Sequence, residues 1–392
     1  MSNEAVLVDV VRTPVGRGKP GGMLSGVHPV VMAAHVLQTV LDRNGLESAQ
    51  IDDVLLGCVS QIGEQAMNIA RQAVLAAGFD ERVPATTIDR QCGSSQQAVH
   101  FAAQGIAAGA YDIVLVGGVE SMSRVPLGSS LAGASPMSPA MRSRYPDGLV
   151  NQGVSAELIA QRWGLSRDDL DAYAAESHRR AAYAWQEGFF DRTVVSVPDA
   201  HDAVTDETVR PGTTAEKLAG LAASFRTEEL AARFPDLDWR ITPGNSSPLT
   251  DGASAALLMS AERAEALGLR PRARFRAFDV IGDDPMLMLT GPIPATRRVL
   301  DRAGLSLDDI DAYEVNEAFA SVPLAWATEL GADRARLNPR GGAIALGHAL
   351  GSSGTRLLGT LVDHLEATGG RYGIQTMCEG GGMANALIVE RL

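Results

Sequence analysis

Two cysteines and one histidine stand in sequence settings that are suited to chemistry. Cys92 lies in the segment QCGSS, directly before apolar residues that recur at helical spacing, with Ser94 or Ser95 predicted as the N-cap. A thiol just ahead of a helix lies near the positive end of the helix dipole, which lowers its pKa and favours the nucleophilic thiolate. A buried structural cysteine is the competing interpretation. The segment alone leaves both open.

His348 and Cys378 lie in two glycine-rich segments of the second half of the chain. Glycines at 341, 342, 347, 351 and 354 flank His348, which indicates a loop that holds the imidazole against a bulky group. Cys378 ends a predicted strand and precedes three glycines, whose backbone N–H groups can form an anion-binding turn. Asn316 and Glu317 follow another predicted strand. A polar site there competes with simple helix capping by Asn316.

Composition and charge restrict the class of protein. The 47 acidic against 34 basic residues give a net charge of −13, which argues against nucleic acid or an anionic membrane as the main partner. The three cysteines have no CxxC spacing, and no metal-ligand pattern is present, so we expect neither a disulfide framework nor a metal site. No apolar run approaches the ~18 residues of a membrane helix, and the start does not resemble a signal peptide. We therefore expect a cytoplasmic protein.

An internal repeat predicts the organisation of the chain. Predicted strands alternate with Ala-rich helices, as in layered α/β folds. Residues 40–52 read VLDRNGLESAQID and residues 299–311 read VLDRAGLSLDDID, and a second pair of similar segments follows in the same order. Chance similarity of short segments is the alternative to duplication. We predict an N-terminal half (1–120 with 246–270), an inserted loop domain (121–245) and a C-terminal half (271–392).

Six motifs are distributed over essentially the whole chain. They are QCGSS around Cys92, GGVESMSRVP from Gly117, GNSSPLTDGA from Gly244, NEAF from Asn316, GGAIALGHALGSSG from Gly341 and CEGGGMANA from Cys378. Taken together and in this order, they resemble the thiolase family, and the similarity extends to degradative 3-ketoacyl-CoA thiolases and acetyl-CoA acetyltransferases, including those that act on bulky steroid side chains. The resemblance implies duplicated βαβαβαββ halves in an α-β-α-β-α layered arrangement with an inserted loop domain.

The resemblance also implies a role for each residue of the site. Cys92 is expected to be the nucleophile, His348 its activating base, and Cys378 the second acid and base. Asn316 would hold a water that forms one oxyanion hole with His348. The backbone N–H groups of Cys92 and Gly380 would form the other.

The resemblance implies coenzyme A and acyl-CoA as substrates, with no permanently bound cofactor and no metal. CoA is expected to lie along the loop domain near Arg210, Ser247 and Phe319. A homodimer or homotetramer is expected, with no nucleic acid partner and no membrane insertion.

Several positions depart from the family's usual pattern. Ser95 replaces a glycine, Ala349 replaces a proline, and Asp89 replaces an asparagine. We expect Ala349 to loosen the turn after His348 and Ser95 to restrict the turn near the nucleophile. The segment NQGV at 151–154 replaces the His–Met–Gly pattern of short-chain biosynthetic members, which favours a degradative enzyme with a larger acyl site.

The predicted activity is reversible, CoA-dependent cleavage of a 3-ketoacyl-CoA to acetyl-CoA and a shortened acyl-CoA, through an acyl-Cys92 intermediate. One alternative is an acetyl-CoA acetyltransferase that forms acetoacetyl-CoA. A decarboxylating condensing enzyme of the same fold would be expected to have a second catalytic histidine, or an asparagine, in place of Cys378, so Cys378 argues against it. A non-catalytic carrier of acyl-CoA or lipid would be expected to lose Cys92, His348 or Cys378, and all three remain.

Overall fold

The computed structural model describes residues 4–200 and 204–392, so the first three residues of the predicted N-terminal half lie outside it. Within these ranges, no helix is long and apolar enough to cross a bilayer. The strands are β1 (Ala5–Arg12), β2 (Gly16–Arg17), β3 (Asp53–Gly57), β4 (Ala85–Ile88), β5 (Ile113–Ser121), β6 (Thr250–Ser260), β7 (Ala273–Gly282), β8 (Ala312–Val315), β9 (Tyr372–Glu379) and β10 (Met383–Arg391).

Helices alternate with these strands along most of the chain, as the sequence predicted. They are α1 (Pro29–Arg43), α2 (Ile69–Ala76), α3 (Ser94–Ala107), α4 (Pro139–Arg144), α5 (Gln152–Arg162), α6 (Arg167–Gln186), α7 (Ala215–Ala219), α8 (Glu228–Arg233), α9 (Ala261–Ala266), α10 (Pro292–Ala303), α11 (Ser321–Leu330), α12 (Ala343–Leu346) and α13 (Ser353–Thr368).

The sheet repeats one topology twice. Its first half has the order β4-β3-β5-β6-β1, and its second half has the order β7-β10-β9-β8. The halves meet where β1 pairs with the start of β7. Each first strand is antiparallel to the last strand of its half, and β3 with β5 is parallel, as is β8 with β9. An isolated parallel bridge between Tyr313 and Leu337 lies where the second half would have a counterpart of β4.

The helices form layers on both sides of the two half-sheets. Helices α3 and α13 contact each other and strands of both halves, so they lie in the middle. Helices α1 and α2 cover the outer face of the first half, and α10 covers the outer face of the second. Separate apolar cores fill the spaces between these layers. The predicted α-β-α-β-α fold class is confirmed, whereas the domain boundaries stay a prediction.

The segment predicted as an insertion runs between β5 and β6 and contains α4 to α8. Its longest helix, α6, begins with a capping box of Ser166 and Asp169. Two side chains of α6, Tyr173 and Ser177, donate hydrogen bonds to the buried carboxylate of Glu317, at 2.8 and 2.7 Å. The insertion is thereby tied to the end of β8, where Asn316 lies.

Three glycines allow the two halves to touch through their backbones. A Cβ on Gly118 of β5 would lie 2.0 Å from the carbonyl oxygen of Gly351, and a Cβ on Gly351 would lie 2.5 Å from the carbonyl oxygen of Gly57. No side chain fits in these gaps, so the loop after His348 lies directly on the ends of β3 and β5.

We predict that Gly118→Ala lowers the free energy of unfolding by about 3 kcal/mol, because its methyl group forces the backbone of Gly351 away. Gly26 is the matched control, since it is exposed and a Cβ there would meet nothing within 4 Å. Gly26→Ala is expected to change stability by no more than about 0.5 kcal/mol. Chemical denaturation measures both. Equal stability of the two variants would contradict this account of the contact.

Candidate active site

Cys92 lies in a tight turn between β4 and α3. Gln91, just before it, has φ of +47°, and Gly93, just after it, is the N-cap of α3. The Cys92 side chain is only 4% exposed and packs against Leu357 of α13 and Met377 of β9. The nucleophile candidate therefore belongs to the first half but is enclosed by the second.

The predicted N-cap was wrong. Helix α3 begins at Ser94 with Gly93 as N-cap, and no side chain caps it. The Ser94 hydroxyl instead accepts from the backbone N–H of Arg90, which closes the turn around Cys92. Ser95 is buried, and its hydroxyl accepts from the backbone N–H of Thr355 at 3.1 Å. The residue that replaces the family's glycine thus joins α3 to α13.

The expectation of a lowered pKa at Cys92 was also wrong. Burial raises the pKa of the Cys92 thiol well above its ordinary value, and the charges of Cys378 and Glu379 would raise it further. The N-terminus of α3 acts in the opposite direction but is outweighed. Cys92 is therefore a neutral thiol at rest, and it needs a base at the moment of attack.

His348 is held as a neutral base. Its Nδ1 lies 2.7 Å from the hydroxyl of Ser353, and that hydroxyl donates to the carbonyl of Ala349. Because Ser353 has a single proton to donate, Nδ1 of His348 carries the hydrogen and Nε2 keeps its lone pair. Burial, with a smaller effect of the Arg356 charge, lowers the pKa of His348 to about 3. The imidazole stays uncharged across the neutral range.

Asn316 joins His348 to Cys378. Its amide nitrogen lies 3.4 Å from Nε2 of His348 and 3.9 Å from the Cys378 sulfur, and its buried amide oxygen has no partner in the part of the chain that the structure describes. Burial raises the pKa of Cys378 to about 12, opposed by hydrogen bonds from Asn316 and the backbone N–H of Ala318. Cys378 therefore holds its proton at rest and can act as an acid.

The turn after His348 keeps its shape without proline. Ala349 has φ of −70°, the value that proline would impose, and its carbonyl accepts from Ser352 and Ser353. Gly347 before His348 has φ of +79°, and a Cβ there would lie 2.6 Å from Val15. Hydrogen bonds and close packing hold the loop where the family uses a ring.

The sequence-based prediction of the site missed two supporting residues, Glu120 and Ser353. The Glu120 carboxylate is fully buried and accepts from the backbone N–H groups of Val59, Ser60 and Gly351, each at 3.0 Å. It fixes the loop after β3 to the loop after His348. A charged residue at the end of an apolar strand, as in GGVES, was the available signal.

Gly380 lies beside the nucleophile turn. A Cβ on Gly380 would stand 3.0 Å from Oε1 of Gln91 and 3.4 Å from Nε2 of Gln152. Gly380 thus faces Gln91, the residue before Cys92. This placement brings the backbone of Gly380 to the same side of the site as the nucleophile.

Of the three residues expected near CoA, Arg210 lines a cleft of the inserted segment, whereas Ser247 and Phe319 adjoin Ser246 of its lining. Exposed Arg210 and half-buried Ser246 line this small cleft together with Leu218. Ser246 pairs with Phe319 through a backbone bridge, and the next residue, Ser247, donates from both its N–H and its hydroxyl to the carbonyl of Ala318. Ala318 thereby connects this cleft to Cys378, which its N–H contacts.

Among residues 4–200 and 204–392, no group of three or more His, Cys, Asp or Glu side chains is placed to hold a metal ion. The chemistry that the site offers is that of a thiol, a neutral imidazole and a second thiol, enclosed between two half-sheets. This set of groups suits acyl transfer through a thioester on a cysteine.

Comparison with known proteins agrees with this class. Residues 5–262 match the thiolase N-terminal domain and residues 269–391 match the thiolase C-terminal domain. The chain is 46% identical to the steroid 3-ketoacyl-CoA thiolase FadA6 of Mycobacterium tuberculosis, over 99% of this chain and 94% of that protein. It is 42% identical to a 3-ketoacyl-CoA thiolase of Aeromonas hydrophila, over 99% of this chain and 100% of that protein.

The fold is also that of a solved relative. The crystal structure of the Bacillus anthracis acetyl-CoA acetyltransferase has a TM-score of 0.88 and 37% identity, covering 100% of this chain and 99% of that one. The chain belongs to the thiolase family, and it is an acyltransferase.

We predict that Ser353→Ala lowers kcat for CoA-dependent cleavage of a 3-ketoacyl-CoA by about ten- to a hundredfold, because the Nε2 lone pair of His348 is no longer fixed. Ser353→Thr, which keeps the hydroxyl, is expected to retain most of the activity. Ser352→Ala is the matched control, since Ser352 donates to the same carbonyl without touching the imidazole. Steady-state kinetics compare the three. An equal loss of kcat in Ser352→Ala would contradict this role of Ser353, because it would show that the hydroxyls act only by holding the turn after His348.

Proposed function

We propose that this protein is a degradative 3-ketoacyl-CoA thiolase that works through an acyl-Cys92 intermediate. The observation that carries the proposal is the buried chain from His348 through Asn316 to Cys378, in which an uncharged imidazole and a protonated thiol contact the same amide. A carrier would have no need for an imidazole held in one tautomer and joined through Asn316 to a thiol.

In the first step, Nε2 of His348 takes the proton of Cys92 as the sulfur attacks the keto carbon of the substrate. The resting groups suit this transfer, since the thiol is neutral and the imidazole is uncharged. The oxyanion that forms would be stabilised by the Nε2–H of His348 and a water held by Asn316, which could contribute roughly 3–4 kcal/mol. The unpartnered amide oxygen of Asn316 supports a water there.

In the second step, the bond between the α-carbon and the keto carbon breaks, leaving the acyl group on Cys92 and the enolate of acetyl-CoA. Cys378 gives its proton to the enolate carbon and becomes a thiolate. The raised pKa of Cys378 means that the thiol keeps its proton until the strongly basic carbanion forms. The backbone N–H groups of Cys92 and Gly380 would stabilise the enolate oxygen.

In the third step, the Cys378 thiolate takes the proton of incoming CoA. The CoA sulfur attacks the thioester on Cys92 and releases a shortened acyl-CoA, and the Cys92 sulfur recovers its proton from His348. One thioester replaces another of similar energy, so the sequence is reversible. All protons return to their starting positions, and no redox step occurs.

CoA would bind along the cleft of the inserted segment. Arg210 offers a cation for a phosphate of CoA, and Phe319 and Ser247 adjoin Ser246 in the lining of the cleft. We further propose the division into halves 1–120 with 246–270 and 271–392 around the insertion 121–245, a homodimer or homotetramer, and a cytoplasmic location. Light scattering that gives only a monomer would contradict the oligomer.

The acyl group is proposed to be long or bulky. The relatives at 42–46% identity are named 3-ketoacyl-CoA thiolases, and one of them is named for steroids. Acetoacetyl-CoA formation is the second candidate, because the solved relative at 37% identity is an acetyl-CoA acetyltransferase. Turnover of a panel from acetoacetyl-CoA to long-chain and ring-bearing 3-ketoacyl-CoAs separates the two.

We predict that Cys92→Ser lowers cleavage of every member of this panel by at least about a thousandfold, since a serine hydroxyl is a much weaker nucleophile than a thiol. Cys58→Ala is the matched control, because Cys58 is equally buried but its thiol contacts Glu120 and none of the proposed reacting groups. It is expected to keep its turnover. Best activity on bulky substrates supports the degradative role, and best activity on acetoacetyl-CoA supports the second candidate. No turnover by the wild type on any substrate would contradict thiolase activity.

A further inference from the structure

A buried carboxyl group that the proposed mechanism does not use lies against the nucleophile turn. Glu379, at the end of β9, is fully buried, and neither of its carboxyl oxygens has a hydrogen-bond partner among the described residues. A Cβ on Gly93 would stand 2.0 Å from Oε1 of Glu379. The carboxyl group therefore rests on the N-cap residue of α3, directly after Cys92.

A second orphaned group lies beside it. Asn385 of β10 donates its amide N–H to the carbonyl of Gly93 at 3.0 Å, while its buried amide oxygen meets no partner within residues 4–200 and 204–392. That oxygen would lie 2.9 Å from the same Cβ position on Gly93. Two acceptors, the Glu379 carboxyl and the Asn385 amide oxygen, thus lie in the same small buried space beside Gly93. A proton on Glu379 supplies the donor that both lack.

The charges around Glu379 are few. Burial raises the pKa of Glu379 to about 8, the Arg90 guanidinium lowers it, and the Asp89 carboxylate raises it. Arg90 and Asp89 come from the loop before α3, Cys378 comes from β9 itself, and Cys92 comes from the nucleophile turn. The N-terminus of α3 favours an anion. Glu379 and Cys92 are therefore two acids that compete for one helix N-terminus, and their like charges disfavour ionisation of both together.

We propose that Glu379 is a positioning residue that must be protonated for Cys92 to act as a nucleophile. The protonated carboxyl bridges to Asn385, which holds the carbonyl of Gly93 and so the turn that carries Cys92. When Glu379 loses that proton, its carboxylate and the amide oxygen of Asn385 are two acceptors that repel each other, which loosens this bridge. The ionised carboxylate also places a negative charge beside the Cys92 sulfur. The alkaline limit of activity is then set by Glu379, and this inference rests on the proposed role of Cys92.

The test compares Glu379→Gln with the wild type through alkylation of Cys92 by iodoacetamide, followed by mass spectrometry of the Cys92 peptide between about pH 6 and pH 10. Glutamine keeps the size and supplies an N–H donor that cannot ionise. The ratio of the variant's rate to that of the wild type is expected to be about 1 below pH 7 and to rise to about five- to tenfold above pH 9. Parallel rate profiles would overturn the proposal.

Glu314→Gln is the matched control. Glu314 of β8 is also buried, and burial raises its pKa to about 8, but the charges that act on it are those of Arg356, Glu317 and Arg180. Its variant is expected to follow the wild-type profile. The same pH-dependent ratio in both variants would overturn a specific role for Glu379.

Asp89→Asn provides a second line of evidence that keeps Glu379 in place. Asparagine is the residue that the family usually has there, and removal of the negative charge favours ionisation of Glu379. The infrared band of the protonated carboxyl, assigned by its absence in Glu379→Gln, is expected to disappear at lower pH in Asp89→Asn than in the wild type. An ionised Glu379 at pH 7, or an unmoved midpoint, would overturn the proposal. Neither alkylation nor the infrared measurement needs turnover, so failure of this proposal can be told apart from failure of the thiolase assay.

Discussion

The hydrogen bond between Nδ1 of His348 and Ser353 is the interaction on which the rest of the site depends. It fixes which imidazole nitrogen carries the proton, and so leaves Nε2 free as a base beside Asn316. Burial then keeps the imidazole neutral and both thiols protonated. The imidazole and the two thiols are therefore uncharged at rest. Each of them ionises only when it exchanges a proton during the reaction with substrate.

The duplicated fold provides the dry space that this chemistry requires. The nucleophile comes from the first half, whereas the base, the amide and the second thiol come from the second half. Helices α3 and α13 lie between the half-sheets and carry the ends of both loops. The backbone contact of Gly118 with Gly351 sets how closely the halves approach. A small separation there would hydrate the site and change the pKa of every reacting group.

Much of this could be predicted from the sequence, and the failures have physical causes. The repeat predicted the duplicated halves because each copy folds into the same helix and turn: α1 and α10 end within one residue of equivalent positions, and a capping box follows each. The motif residues around Cys92, His348 and Cys378 were found from their local setting. The pKa direction at Cys92 was wrong because burial is set by distant residues such as Leu357 and Met377.

Contacts between distant segments also escaped the sequence analysis. In the sequence, Glu120 does not differ from other polar residues at strand ends. Its role depends on the loop of Gly351, which the fold brings into contact with it. Ser353 reads as a helix residue, and only the fold turns its hydroxyl toward the imidazole. Ala349 shows the reverse case: the loss of a proline was expected to loosen the turn, yet φ stays at −70° because two serine hydroxyls hold its carbonyl.

The most direct test of this account is a ¹⁵N NMR titration of the His348 ring, assigned with a His348→Asn variant. The lowered pKa means that the imidazole should stay neutral, with hydrogen on Nδ1 and a free lone pair on Nε2, as the pH falls from about 8 to about 5. An imidazolium at neutral pH, or hydrogen on Nε2, would contradict it, because the resting site would then contain either a charged pair or no base facing the substrate.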